Sequence, residues 1–397
     1  MKTKTFLFIL LLPLLFLSLG CRSKTGLDVI LTYENETAID KEYALSFVDA
    51  LRIKRYGSLE SYREKTGLSP LEFLRKLSKT AAEDVEKACE MPYRPVEEPD
   101  FTYLGDGAFS FTDGKPGRVA SAEETARLIL ASGGKYSGEI SCRTLEPILS
   151  VDDMKARTEK IASFSSDYSS SSPERKHNIA LAANRLDNRT VEGRKTLSFN
   201  EIVGKRTAEN GFLEAGVISY GEFTRGIGGG VCQVSTTLYD AWMAAGLNAT
   251  SKNHSLTVSY VPAGLDAMVS ESNDLVLFND TDYPVFLDAE CDGNKVTFTL
   301  YGTKPAYDIR LWSKKEKTYP CDEYEYVPGT EEKVLSEPKD GSLYLSFRDY
   351  YKNGTLVKRE RLRVSEYRKV KGKKITAGGG LNQSFLNASS IKMATFL

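Results

Sequence analysis

Apolar residues recur at two periods along the chain, and the switches between them mark the elements. Leu71, Leu74, Leu77 and Ala81 keep helical register through 70–90, and residues 44–55 form a second helical run. Ser121–Ser132 is amphipathic, with Ser121 as N-cap and Glu124 three residues on, the spacing of a capping box. Residues 152–160 also have a helical pattern, and Ala180–Leu186 another. Val234, Leu238 and Trp242 fall four apart, with Ala241 and Ala245 beside them, so a helix starts near Cys232 and stops at Gly246.

A period of two runs through Leu27–Tyr33 and through Phe101–Leu104 and Ala108–Phe111 on either side of a Gly-Asp-Gly turn. It returns in Leu256, Val258 and Tyr260, in 274–279, in 283–290 and in 295–302, where Asp292-Gly293-Asn294 signals a hairpin. Leu343–Tyr351 and Leu356–Ser365 flank the turn Lys352-Asn353-Gly354-Thr355. The expected class is multidomain α+β: a Cys-bearing helix packed on an antiparallel sheet, small α+β units before it and a β-rich unit after it.

Composition shifts divide the chain. A Pro- and Glu-containing linker at 92–98 ends a small α+β unit at 25–95. A strand–strand–helix–strand unit follows at 98–160, then a Ser-rich loop at 163–173. The Cys232 helix and its sheet fill 162–302, a β-rich unit takes 303–377, and a Gly-, Asn- and Ser-rich tail occupies 378–397. A length of 397 residues suits several domains, and 41% hydrophobic with 27% charged residues is a globular balance. The net charge of −1 gives no basis for a nucleic-acid partner.

The first 21 residues change where the chain is expected to work. Lys2 and Lys4 precede an apolar run, Phe6–Leu19, too short to span a bilayer comfortably. Ser18-Leu19-Gly20-Cys21 then resembles the lipobox of bacterial lipoproteins, with Cys21 as the lipidated residue. The alternative is an ordinary secretory signal cleaved nearby. Either way the expectation is export, to a lipid-anchored position in the cell envelope or to secretion.

Export sharpens the cysteine count. There are six cysteines, at 21, 89, 142, 232, 291 and 321. With Cys21 lipidated, five remain, so at least one thiol has no partner within the chain. Cys89 lies in a helical run and reads as structural; Cys142, Cys291 and Cys321 pair or stay buried. Cys232 has the activating context. Gly228, Gly229 and Gly230 lead to it through Val231, and the N–H groups and dipole of a helix N-terminus favour a thiolate. The competing reading is a small buried cysteine.

A thiol nucleophile needs a base, and the chain has two histidines, His177 and His254. His254 opens the first strand expected after the Cys232 helix, and Asp266 opens the next. The order Cys232, His254, Asp266 is that of papain-like and transglutaminase-like cysteine enzymes. His254 as a strand-edge residue and Asp266 as a turn residue are the alternatives. His177 starts a helix, as a cap or a cleft residue. No Cys/His spacing suits zinc, and 226–230 lacks the Gly-Lys-Ser/Thr ending of a phosphate loop, so no metal, cofactor or nucleotide is expected.

Glu174-Arg175-Lys176-His177-Asn178-Ile179, Ser198–Gly204, Ile227–Tyr239, His254-Ser255 and Tyr260–Ala267 together resemble the VanW family of bacterial envelope proteins, over about 162–302. The 98–160 unit resembles the peptidoglycan-binding domain that often precedes that family. The hairpin ending in 303–377 looks like the small β domains that often trail it. The resemblance implies peptidoglycan as partner and Cys232 as acyl carrier in an L,D-transpeptidase-like 3–3 cross-linking or a carboxypeptidase reaction. Gly229, Gly230, Gln233 and Ser235 would then form the oxyanion and stem-peptide side. A non-catalytic, lipid-anchored scaffold linked to glycopeptide resistance is the other implied reading.

Overall fold

The computed structural model describes residues 26–219 and 222–377. The signal-like segment, Cys21 and the tail beyond 377 lie outside them. Two compact units result, one from residues up to 100 with 112–150, the other from 101–111 with 151 onward.

In the first unit, Gly26–Tyr33 and Glu36–Ala44 form an antiparallel hairpin. Glu34 and Asn35 sit at positive φ in its two-residue turn, the conformation that matches strand twist. Lys135–Glu139 joins the other edge of Gly26–Tyr33 in parallel. Leu27, Val29 and Leu31 point into one core with Phe73, Leu74, Val85, Ile129 and Leu130. That core crosses the 92–98 linker, so 25–95 and most of 112–150 fold together rather than as two units. The helix expected over 70–90 divides into Pro70–Leu77 and Lys79–Ala88. Ser78 causes the break: it is extended, closes the first helix and caps the second by accepting from the Ala81 N–H. The full capping box is Ser69–Glu72. At Ser121 only half forms, because Glu124 turns outward to Arg127.

In the second unit, a four-stranded antiparallel sheet runs in the order Glu159–Asp167, Lys295–Gly302, Val285–Cys291, Arg189–Val191. The first of these strands replaces part of the expected Ser-rich loop, and the preceding helix shrinks to Val151–Lys155. Its serines work as strand residues: Ser163 and Ser165 bond Thr299 and Thr297 across the pair. Val296, Phe298 and Leu300 face the helices Pro173–Leu186 and Val231–Ala244, whose Ile179, Ala182, Val234, Leu238 and Trp242 complete the core.

Phe286 receives the hairpin of residues 100–112: Phe101, Tyr103 and Phe109 lie 5.7, 4.9 and 5.1 Å from its ring centre. The alternation that predicted that hairpin also makes one face an aromatic stripe. The stripe is half-buried against Phe286 and belongs to the second unit.

The C-terminal strands Asp308–Tyr319, Gly341–Lys352 and Thr355–Tyr367 form a meander, with Asn353 and Gly354 at positive φ in the last turn. Arg348 donates to the Leu247 carbonyl at 2.6 Å, tying this sheet to the end of the Cys232 helix. Residues 254–266 make no strand; the expected alternation there is a loop. Its polar groups go to the last meander strand and the residue after it. Arg368 N–H donates to the Ser255 carbonyl, Asn253 to that of Glu366, and Gly264 N–H to the Tyr367 hydroxyl.

Candidate thiol site

Cys232 is the second residue of the helix Val231–Ala244. The N-cap, Gly230, has φ 107°, and no side chain caps the helix. Glycine is needed here for conformation and for space. A Cβ on Gly230 would come within 2.9 Å of Ile179 and 3.0 Å of Arg175, and one on Gly229 within 2.5 Å of the Gly216 carbonyl.

The structure brings Cys232, His254 and Asp266 together. Asp266 Oδ2 accepts from both the backbone N–H and Nδ1 of His254, each at 2.6 Å. That leaves Nε2 free for Cys232, which is close enough for thiol and imidazole to shift each other's titration. The thiol also lies 3.2 Å from the Val269 carbonyl. His254 and Asp266 are 4% and 0% exposed, while Cys232 keeps partial exposure.

The electrostatics favour an ion pair. Burial pushes the Cys232 thiol up, but the hydrogen bond and charge of His254, with help from Arg206, leave it below the ordinary thiol value. Burial pulls His254 down, yet Asp266 and Cys232 raise it to about 9. Burial opposes the Asp266 charge, and His254 and Tyr367 hold its carboxyl below the usual range. Both shifts run toward a thiolate–imidazolium pair, with the Asp266 carboxylate behind it.

Two residues from the C-terminal meander fix Asp266. The Tyr367 hydroxyl donates to Asp266 Oδ1, and Arg363 donates to the Asp266 carbonyl and to that of Gly264. Sequence reasoning missed both, since nothing in 303–377 signals a partner a hundred residues upstream. It also gave no role to Arg175, Arg206 or Tyr260, whose charges or dipoles reach Cys232. Arg175 and Tyr260 do lie inside stretches that carry the family resemblance.

Other expected site residues are placed differently. Gln233 is buried; it accepts from Arg175 and donates to Ser166 and the Asp167 carbonyl. Ser235 is also buried and donates to the carbonyls of Cys232 and Ala267. Both are scaffold, with their hydrogen bonds already made. The N–H groups of Val231 and Gln233 are taken by the carbonyls of Gly228 and Gly230. Gly229 is buried, its carbonyl accepting from Asn178. Gly230 alone of the four is part-exposed beside the thiol. His177 bonds the Gly211 carbonyl, outside the cluster. Cys89, Cys142, Cys291 and Cys321 are free thiols like Cys232.

Residues 174–301 match the family model described as VanW like protein. The chain carries a VanW-like domain over these residues. The uncharacterized protein YoaR of Bacillus subtilis (strain 168) is 38% identical over 148 residues. That alignment covers 37% of this chain and 49% of YoaR, so it spans about half the length of the relative. A solved structure, HP0197-G5, aligns over its whole length with 19% of the chain at 15% identity. Its TM-score of 0.12 is too low to bear on the fold. The VanW domain includes Arg175, Arg206, Cys232, His254 and Asp266, whereas Arg363 and Tyr367 lie beyond its end. Among the described residues no helix is long and apolar enough to cross a membrane.

Proposed function

We propose that the VanW domain is a cysteine acyltransferase acting on peptidoglycan stem peptides in the cell envelope. The observation that carries this reading is the Cys232–His254–Asp266 line at a helix N-terminus. The thiolate attacks the carbonyl between the third and fourth stem residues. As the C–N bond breaks, His254 passes its proton to the departing amine, leaving a thioester on Cys232. The amine of a second stem then attacks the thioester, His254 takes up its proton, and the thiolate is released. This gives an L,D-transpeptidase-like cross-link; with water as acceptor the product is that of a carboxypeptidase.

In this reading the helix N-terminus, reached past the part-exposed Gly230, stabilises the charge that develops on the attacked oxygen. Asp266 keeps Nδ1–H engaged, so that Nε2 faces the sulphur in both half-reactions. The lipid anchor at Cys21 and the link to glycopeptide resistance belong to the same proposal. The test is muropeptide analysis with the purified protein and Cys232→Ala. New cross-linked or trimmed stems from the wild type alone support the reading; equal product from both overturns it.

A further inference from the structure

Two arginines stand at the mouth of the glycine loop. Arg175 is in the first turn of the helix Pro173–Leu186, and Arg206 follows the short helix Phe199–Val203. The loop is built against both stems. A Cβ on Gly228 would meet Arg206 Cβ at 2.7 Å, and one on Gly230 would meet Arg175 Cγ at 3.0 Å. The glycines therefore hold both side chains against the residues that lead into Cys232.

Among the described residues the hydrogen-bond partners of these arginines are uncharged. Arg175 donates to Ser171 Oγ at 2.6 Å and to Gln233 Oε1 at 2.8 Å. Arg206 donates to Asn200 Oδ1 at 2.8 Å and to the Gly204 carbonyl at 3.2 Å. Its Nη2 is buried and makes no hydrogen bond among the described residues. Elsewhere in the same unit Arg194, Arg348 and Arg359 pair directly with Asp282, Glu360 and Asp349. Asp274 and Glu271 act on Arg206 only through space. A part-buried guanidinium without a counter-ion loses hydration and is not repaid by a salt bridge. The charge they share is that of Cys232 itself, and two cations beside one thiolate leave room for a second anion.

Given the acyl transfer proposed above, we propose that Arg175 and Arg206 form a subsite for the α-carboxylate of the residue that leaves. In a peptide whose last bond is attacked, that carboxylate is separated from the scissile carbonyl by one N–Cα–C unit. Bond lengths of about 1.5 Å put it within roughly 4–5 Å of the reacting carbon. Both arginines act electrostatically on the sulphur, and guanidinium is the group suited to a carboxylate. The subsite makes the VanW domain exo-acting: it releases one C-terminal residue and discriminates against amidated or extended stems.

The experiment uses the full chain, Arg206→Gln, Arg206→Lys and Arg175→Gln, with two kinds of probe. The first is the ratio of Cys232 alkylation rates by iodoacetate and iodoacetamide, which differ in the carboxylate. Arg206→Gln is expected to lower that ratio about tenfold, while Arg206→Lys keeps most of it. Arginines that only activate the thiol would slow both reagents equally; an unchanged ratio overturns the subsite, as does a Cys232 that neither reagent modifies.

The second probe is a stem tetrapeptide as free acid and as C-terminal amide. The wild type is expected to prefer the acid, and Arg206→Gln to lose that preference mainly through KM. Turnover of both peptides alike, with an unchanged alkylation ratio, removes the subsite and leaves the acyl transfer standing. Turnover of neither, with a ratio that still responds to Arg206, removes the acyl transfer and leaves the subsite.

Discussion

The two units each hold a cysteine at a helix end, and the pair shows what moves a thiol's titration up or down. Cys89 is the C-cap of Lys79–Ala88, where the dipole disfavours an anion. It is buried against Thr125, and burial pushes its thiol up. Cys232 lies in the first turn of its helix, where the dipole favours an anion. Burial works against it too, yet His254 and Arg206 reverse the sign. Helix end and charged neighbours decide the chemistry; burial is common to both. The surroundings match. The first unit carries exposed pairs such as Lys41–Asp84 and Lys115–Glu97, whereas the second encloses a charged line behind its thiol.

The sharpest break of this contrast is to delete each sulphur. Cys232→Ala should cut acyl transfer by about 10⁴-fold or more. Cys89→Ala should leave turnover intact and cost about 1 kcal/mol in denaturant unfolding. A Cys89 variant with lost turnover, or an active Cys232 variant, would reverse the assignment. Next in size is Asp266→Asn, which frees the imidazole to adopt the wrong tautomer. A loss of roughly 10³-fold in kcat is expected, and a kcat within threefold of wild type would remove Asp266 from the relay.

Alkylation compares the thiols directly. At pH 7 iodoacetamide should modify Cys232 at least about tenfold faster than Cys142. Cys142 is exposed, yet the burial it retains pushes its thiol up. Cys89 should stay unmodified until the chain unfolds. Peptide mass spectrometry reads all three sites.

The ion pair also predicts a pH window for stability. His254 is raised from 6.5 to about 9, so its contribution is complete below about 6.5 and is lost as pH rises through about 9. The depressed Cys232 acts with the opposite sign, losing its contribution as pH falls through its folded value. Wild type and Cys232→Ala should therefore differ most in thermal stability near neutrality, and parallel pH curves would contradict the pair. The smallest effect expected is that of Tyr367→Phe, which removes one donor to a buried carboxylate. It should cost about 1–2 kcal/mol of stability and about tenfold in turnover, measured by denaturant unfolding and kinetics.

Local chemistry was legible wherever one side chain or one turn sets the conformation. The Asp106-Gly107 and Asn353-Gly354 turns, the Cys232 helix with its glycine entry, and the strands around Asp292-Gly293 follow from residues within a few positions of each other. The triad members were legible as a set, because two histidines leave few candidate bases. Less could be read where a pattern admits two partners. The alternation at Leu256, Val258 and Tyr260 looked like a strand, but its polar groups bond the C-terminal strand instead of a ladder. Gln233 and Ser235 looked available beside the thiol, and only packing shows that Ser166, Asp167 and Ala267 already occupy them.

The sequence by itself therefore determined the helix that carries Cys232, its glycine entry and the order of Cys232, His254 and Asp266 along the chain, since helix starts, glycine entries and residue chemistry are local. Tertiary structure alone decided that Tyr367 and Arg363 brace Asp266 from beyond the VanW domain, and that Arg175 and Arg206 gather at the glycine loop. Those contacts join positions from 22 residues apart (Arg206 and Gly228) to 101 (Asp266 and Tyr367). They depend on how sheets and loops dock, and no period or motif along the chain encodes docking.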